Sequence, residues 1–149
     1  MQTQDPPGTT PATLKSLLCG EMAATQTYEK ALEKVNGSPG GARLRQIFAD
    51  HSQAVGLLRD MLIRYPGEMP MASGAWGHFA DAVRSTPGNV LGDPRALQAL
   101  KEGEEHRIRE YERALHDPEV AEDAKAMSRS LLARCRSHVP LLEALIDDE

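Results

Sequence analysis

Gly20-Glu21, with Tyr28-Glu29-Lys30-Ala31-Leu32 a few residues on, recurs as Gly103-Glu104 with Tyr111-Glu112-Arg113-Ala114-Leu115, displaced by 83 positions. Six of the thirteen paired positions are identical, where composition alone would match roughly one. Duplication of a structural unit explains this. In each copy a carboxylate and a phenol stand seven residues apart, which at helical pitch places them on one face about 10 Å apart along the axis.

Around these copies the apolar residues keep the alternating 4,3 spacing of a helical seam. Thr10-Pro11 supplies a cap and a first-turn proline for a helix carrying Leu14, Leu18, Glu21, Thr25, Tyr28, Leu32 and Val35. Asn36 to Gly41 breaks it, and Leu44, Phe48, His51, Val55, Leu58 and Leu62 form a second seam. Asp93-Pro94 opens a third helix with Leu97, Leu100, Glu104, Ile108, Tyr111 and Leu115 inward. Asp117-Pro118 opens a fourth, in which Leu131, Cys135, His138, Leu142 and Leu145 form the seam and neighbouring apolar residues push His138 toward one flank. Pro140 cannot donate to the Arg136 carbonyl and predicts a kink one turn from His138.

Short turns join the helices within each pair, whereas Pro66 to Asp93 spans the gap between the pairs. Within that crossover Ala75 to Arg84 reads as a short helix with Trp76, Phe79 and Val83 on one face, pinning it to the bundle. The predicted fold is all-α: a ferritin-like antiparallel four-helix bundle of two hairpins joined by a long crossover. Residues 12–146 form its one domain and residues 1–11, polar and proline-rich, read as a disordered arm.

Composition narrows the function classes. The 149 residues are 40% hydrophobic but only 4% aromatic, enough for one helical core. A net charge of −5 and the lack of a Lys/Arg cluster argue against nucleic acid. No apolar run reaches membrane-spanning length. Cys19 and Cys135 lie far apart without metal or redox spacing, which fits a reducing, cytoplasmic setting.

Glu21, His51, Glu104 and His138 take seam positions where apolar residues are expected. An ionised carboxylate inside a bundle costs several kcal/mol unless a proton, a cation or a metal meets it. These four residues are therefore the candidate metal ligands, suited to one Fe, Mn or Zn ion with water completing the shell. Tyr28 and Tyr111 are the candidate supports that hydrogen-bond and orient the carboxylates. A closed Glu/His/Tyr network without metal satisfies the same groups. Asp50 and Glu105 point about 100° from the seams and read as solvated charges, and His106 reads as exposed or interfacial. His78 and His116 receive no role. Aligning the even helices by their histidines gives an offset of 87, while an offset of 84 gains identities but pairs His51 with Cys135; both remain open.

Three strings bring a family into view: Gly74-Ala75-Trp76-Gly77 before Phe79; Lys101 to His106 leading into Glu110 to Leu115; and Asp50-His51. Together they resemble an uncharacterised bacterial family of ferritin-like domains of unknown function, over about residues 12 to 146. Ferritin-like relatives with full ligand sets bind paired iron or manganese and react with oxygen or peroxide. The resemblance implies that Glu21 and Glu104 match the carboxylates of the odd helices and that His51 and His138 match the motif histidines. Phe48 and Cys135 stand where the even-helix carboxylates would be.

Two functions follow as expectations. One is a metal-binding bundle that oxidises Fe(II); the other is a non-enzymatic, homodimeric interaction or stress-associated protein with a metal-free core network. A small-molecule pocket under the crossover near Trp76 is a third.

Overall fold

The computed structural model describes residues 10–35, 40–65, 77–86 and 88–147, and the described residues are all-helical. In chain order they form α1 (Thr10–Glu33), α2 (Gly40–Leu62), α3 (Gly77–Arg84), a 3-10 turn (Val90–Gly92), α4 (Pro94–His116) and α5 (Glu122–Asp147). The helices α1 and α2 form one packed hairpin, α4 and α5 another, and α3 lies against α4 and α1.

Local chemistry explains most boundaries. Asp93 accepts the Arg95 N–H through Oδ1 at 2.9 Å, with Pro94 in the first turn, as the sequence predicts. Thr10 and Pro11, read with the arm, are already helical in α1, and residues 1–9 lie outside the described set. The last helix starts later than expected. Asp117 instead folds the chain into a turn, its Oδ1 accepting from Glu119 N at 2.9 Å, and Thr10 Oγ1 takes the Ala121 N–H at 3.0 Å. Pro140 lies inside α5, which continues to Asp147.

A lysine helps to fasten α3 to the end of α1. Lys34 Nζ, at the end of α1, donates to the carbonyls of Val83, Arg84 and Thr86 at 3.3, 2.6 and 2.7 Å. It thereby satisfies the open carbonyls and the negative end of α3. Phe79 and Val83 of α3 are buried as predicted, while Trp76 lies outside the described residues.

The core is split in two. Tyr28, Leu44, Ile47, Leu97, Leu100 and Leu142 belong to one apolar cluster. Leu14, Leu18, Leu58, Tyr111 and Leu131 belong to the other. Along every long helix the chain leaves one cluster and enters the other on passing Glu21, His51, Glu104 or His138. A polar layer therefore crosses the middle of the bundle.

Candidate metal centre

Four helices each send one of the sequence-predicted residues into that layer, and Glu21, His51, Glu104 and His138 are all buried. His51 bridges the two carboxylates, with Nδ1 2.5 Å from Glu21 Oε1 and Nε2 2.7 Å from Glu104 Oε2. His138 places Nδ1 3.0 Å from Glu104 Oε1 and Nε2 2.8 Å from Asp50 Oδ2. Each imidazole thus has its Nδ1 on the Glu of its own hairpin, which makes His51 and His138 counterparts and favours the offset of 87.

The tyrosines cross over. Tyr28 OH donates to Glu104 Oε2 at 2.7 Å and Tyr111 OH to Glu21 Oε2 at 2.5 Å. Moving up α1 from Glu21 to Tyr28 corresponds to moving down α4 from Tyr111 to Glu104, the register of an antiparallel pair. The Tyr28 ring also stacks on His51, with centroids 5.5 Å apart and planes at 19°.

Three features depart from the sequence reading. His138, expected toward a flank, is fully inside, because the flank it occupies is where α2 packs beside α5. For the same reason Asp50, read as a solvated charge, reaches His138; its side chain keeps 30% of its exposure. Arg107 was absent from the predicted seam, yet it is wholly buried, and Ile108, placed there instead, is only partly so. Arg107 stands three residues after Glu104 and four before Tyr111, so helical spacing admitted it. A cation at that position looks like a surface residue until Glu21 is seen opposite.

Arg107 is tied down on every side. Nη2 donates to Glu21 Oε2 at 2.9 Å, to Leu17 O at 3.0 Å and to Tyr111 OH at 3.0 Å, and Nη1 meets Glu110 Oε1. A Cβ on Gly20 would collide with this guanidinium, which is why the first copy of the repeat needs a glycine there.

The electrostatics follow from this geometry. Burial alone would raise the Glu21 carboxyl, but the charges of Arg107 and His51 outweigh it and hold it at about 2. Burial would likewise raise Glu104, and His51 and His138 pull it far below the usual carboxylate range. Burial opposes the charge on His51, yet Glu104 and Glu21 raise its pKa to about 10. With both ring nitrogens against carboxylate oxygens, His51 is an imidazolium donating in two directions. Burial, then Glu104, pushes the Tyr28 phenol up; burial, then Glu21, does the same to Tyr111. The two buried carboxylates therefore meet two buried cations, His51 and Arg107.

A metal can be held in one part of this cluster. One ligand atom from each of His51, Glu104 and His138 lies within 4.8 Å of the other two, a donor set of two imidazoles and a carboxylate. Glu21 does not join that group: one oxygen faces His51 and the other accepts from Arg107 and Tyr111. Between α2 and α5 the crevice lined by Asp50, Arg134 and Cys135 is too narrow for a water-sized sphere, so entry of an ion requires side-chain movement. His106 is half-buried, 3.5 Å from Glu110 and against the Phe79 ring. A separate open groove of about 430 Å³ runs between Phe79 and Ala82 of α3 and Gln98 and Ala99 of α4, away from the polar layer.

Comparison of the chain with protein-family models, with curated proteins and with solved structures gives no match. No helix among the described residues is long and apolar enough to cross a membrane.

Proposed function

We propose that this chain is a ferritin-like bundle that binds a divalent transition-metal ion between His51 Nε2, His138 Nδ1 and Glu104. The observation behind this reading is that each imidazole is backed by an outer carboxylate while its other nitrogen faces Glu104. Glu21 lies behind His51 and Asp50 behind His138, the arrangement that fixes ring orientation and raises ligand basicity in metal sites. The ferritin-like assignment is supported by the order in which α1, α2, α4 and α5 meet the two apolar clusters. That order makes the chain travel the bundle's length between α2 and α4.

An ion held there would replace the hydrogen bonds that His51 Nε2 and His138 Nδ1 now make to Glu104, so binding would be coupled to proton release. Two imidazoles and one carboxylate suit Zn, Fe(II) or Mn(II) and leave coordination positions for water. Iron held by His51, His138 and Glu104 would supply redox chemistry toward O2 or peroxide, with the Glu104 carboxylate stabilising the higher charge of the oxidised ion. Metal analysis of tag-free protein, as purified and after reloading, tests binding; ions retained by wild type and lost in Glu104→Ala are the expected result. The absence of metal in both preparations of wild type refutes it. Fe(II) oxidation in air, measured against Glu104→Ala, tests the redox step.

A second reading is favoured by the pairing of Glu21 and Glu104 with Arg107 and His51. Such a network is complete without metal and would serve a structural, homodimeric protein. Unchanged thermal stability on adding metal, with a dimer by light scattering, is its signature.

A further inference from the structure

The duplication makes Glu21 equivalent to Glu104 and Tyr111 equivalent to Tyr28, yet the two halves of the polar layer are furnished differently. Displaced by the same 83 positions, Arg107 falls on Ala24 and Glu110 on Thr27. One half therefore contains a buried guanidinium, and its mate contains a buried methyl group. Around Arg107, Glu21 accepts at 2.9 Å from Nη2 and 3.3 Å from Nε, and Leu17, Tyr111 and Glu110 take the other donors. Ala24 itself brings no charge to its half, where Glu104 faces the imidazole nitrogens of His51 and His138 instead of a guanidinium.

We propose that Arg107 is a resident cation in the place of a second metal ion, so that the centre binds one ion per chain and Glu21 positions His51 without ligating. This inference rests on the metal-binding reading above. In bundles that hold two metals, four carboxylates and two imidazoles surround the pair. Here the guanidinium supplies the second positive charge permanently, since arginine does not lose its proton in proteins. Its planar donors and the Tyr111 hydroxyl converge on Glu21 Oε2, and His51 takes Oε1, so both Glu21 oxygens are already engaged by residues of this chain. Gly20 completes the device, because any side chain there would displace the guanidinium.

The test is a Mn(II) titration of metal-free full-length protein, read by metal stoichiometry and by electron paramagnetic resonance. Wild type should saturate at one ion per chain with the six-line spectrum of an isolated ion. Arg107→Gln should accept a second ion and lose the resolved six lines through coupling between the two, while Arg107→Lys keeps one. Glu21→Gln should still bind one ion, about 10- to 100-fold more weakly, as expected for a positioning group. Two ions per chain in wild type, a single ion in folded Arg107→Gln, or complete loss of binding in Glu21→Gln overturns the inference while leaving the metal centre standing. If Arg107→Gln does not fold, the wild-type count and Glu21→Gln decide. No Mn(II) bound by any of these proteins removes both the inference and the metal reading beneath it.

Discussion

Tyr28 donates its hydroxyl to Glu104 Oε2 at 2.7 Å, across to the other repeat and not to the Glu21 of its own helix. Tyr111 returns the same contact to Glu21. The two copies of the duplicated unit are therefore cross-braced, each phenol satisfying the carboxylate its own helix cannot reach.

Replacing either tyrosine by Phe removes a hydrogen bond to a buried charge, a loss of about 1.5–3 kcal/mol. Urea denaturation of metal-free protein should show this for both variants. Metal affinity should separate them, with Tyr28→Phe weakening it about 10- to 100-fold because Tyr28 holds Glu104. Tyr111→Phe, which touches the half occupied by Arg107, should change it less.

Stability should follow pH in a way that depends on metal. Glu21 falls from 4.5 to about 2 on folding, so its contribution is present above about 4.5 and is lost as pH falls toward 2. His51 rises from 6.5 to about 10, so its contribution is full below about 6.5 and is lost as pH rises through 10. Metal-free protein should be most stable between these limits, near pH 4.5–6.5. With an ion bound, His51 is neutral in the folded state, so the alkaline decline disappears and stability instead weakens below about pH 6.5. Thermal melts with and without saturating metal, from pH 4 to 10, decide; identical profiles contradict the assignment of His51 as a ligand.

One substitution should have opposite signs at two glycines. Gly20→Ala forces a Cβ into the Arg107 guanidinium and should cost about 1–3 kcal/mol. Gly56→Ala, on the exposed face of α2 with nothing within 4 Å, should stabilise by up to about 1 kcal/mol. Denaturant midpoints of the two variants test this directly.

Lys34→Met keeps the aliphatic stem but removes the ammonium that gathers the carbonyls of Val83, Arg84 and Thr86. A loss of about 1 kcal/mol is expected, and hydrogen exchange should quicken in α3 more than in α4 or α5. Uniform protection would show that α3 is held by Phe79 and Val83 alone.

Much of this arrangement was legible beforehand because it follows from local periodicity. The four long helices, the Asp93-Pro94 start, and the inward placement of Glu21, His51 and Glu104 all come from 3- and 4-residue spacing, which one helix encodes by itself. Asp117-Pro118 carried the same start signal as Asp93-Pro94 but gave a turn, because Thr10 of α1 supplies an acceptor for Ala121 that no local pattern announces.

The duplicated sequence alone determined that two equivalent hairpins would each bring a carboxylate and a phenol to a shared interior, since helix pitch converts spacing into a face. Tertiary structure alone decided the partners: Tyr28 with Glu104, Asp50 with His138, and Arg107 with Glu21. Those pairings depend on which flank of one helix meets which flank of another. The energy of a buried charge is set by the group opposite it, which lies tens of residues away in the chain.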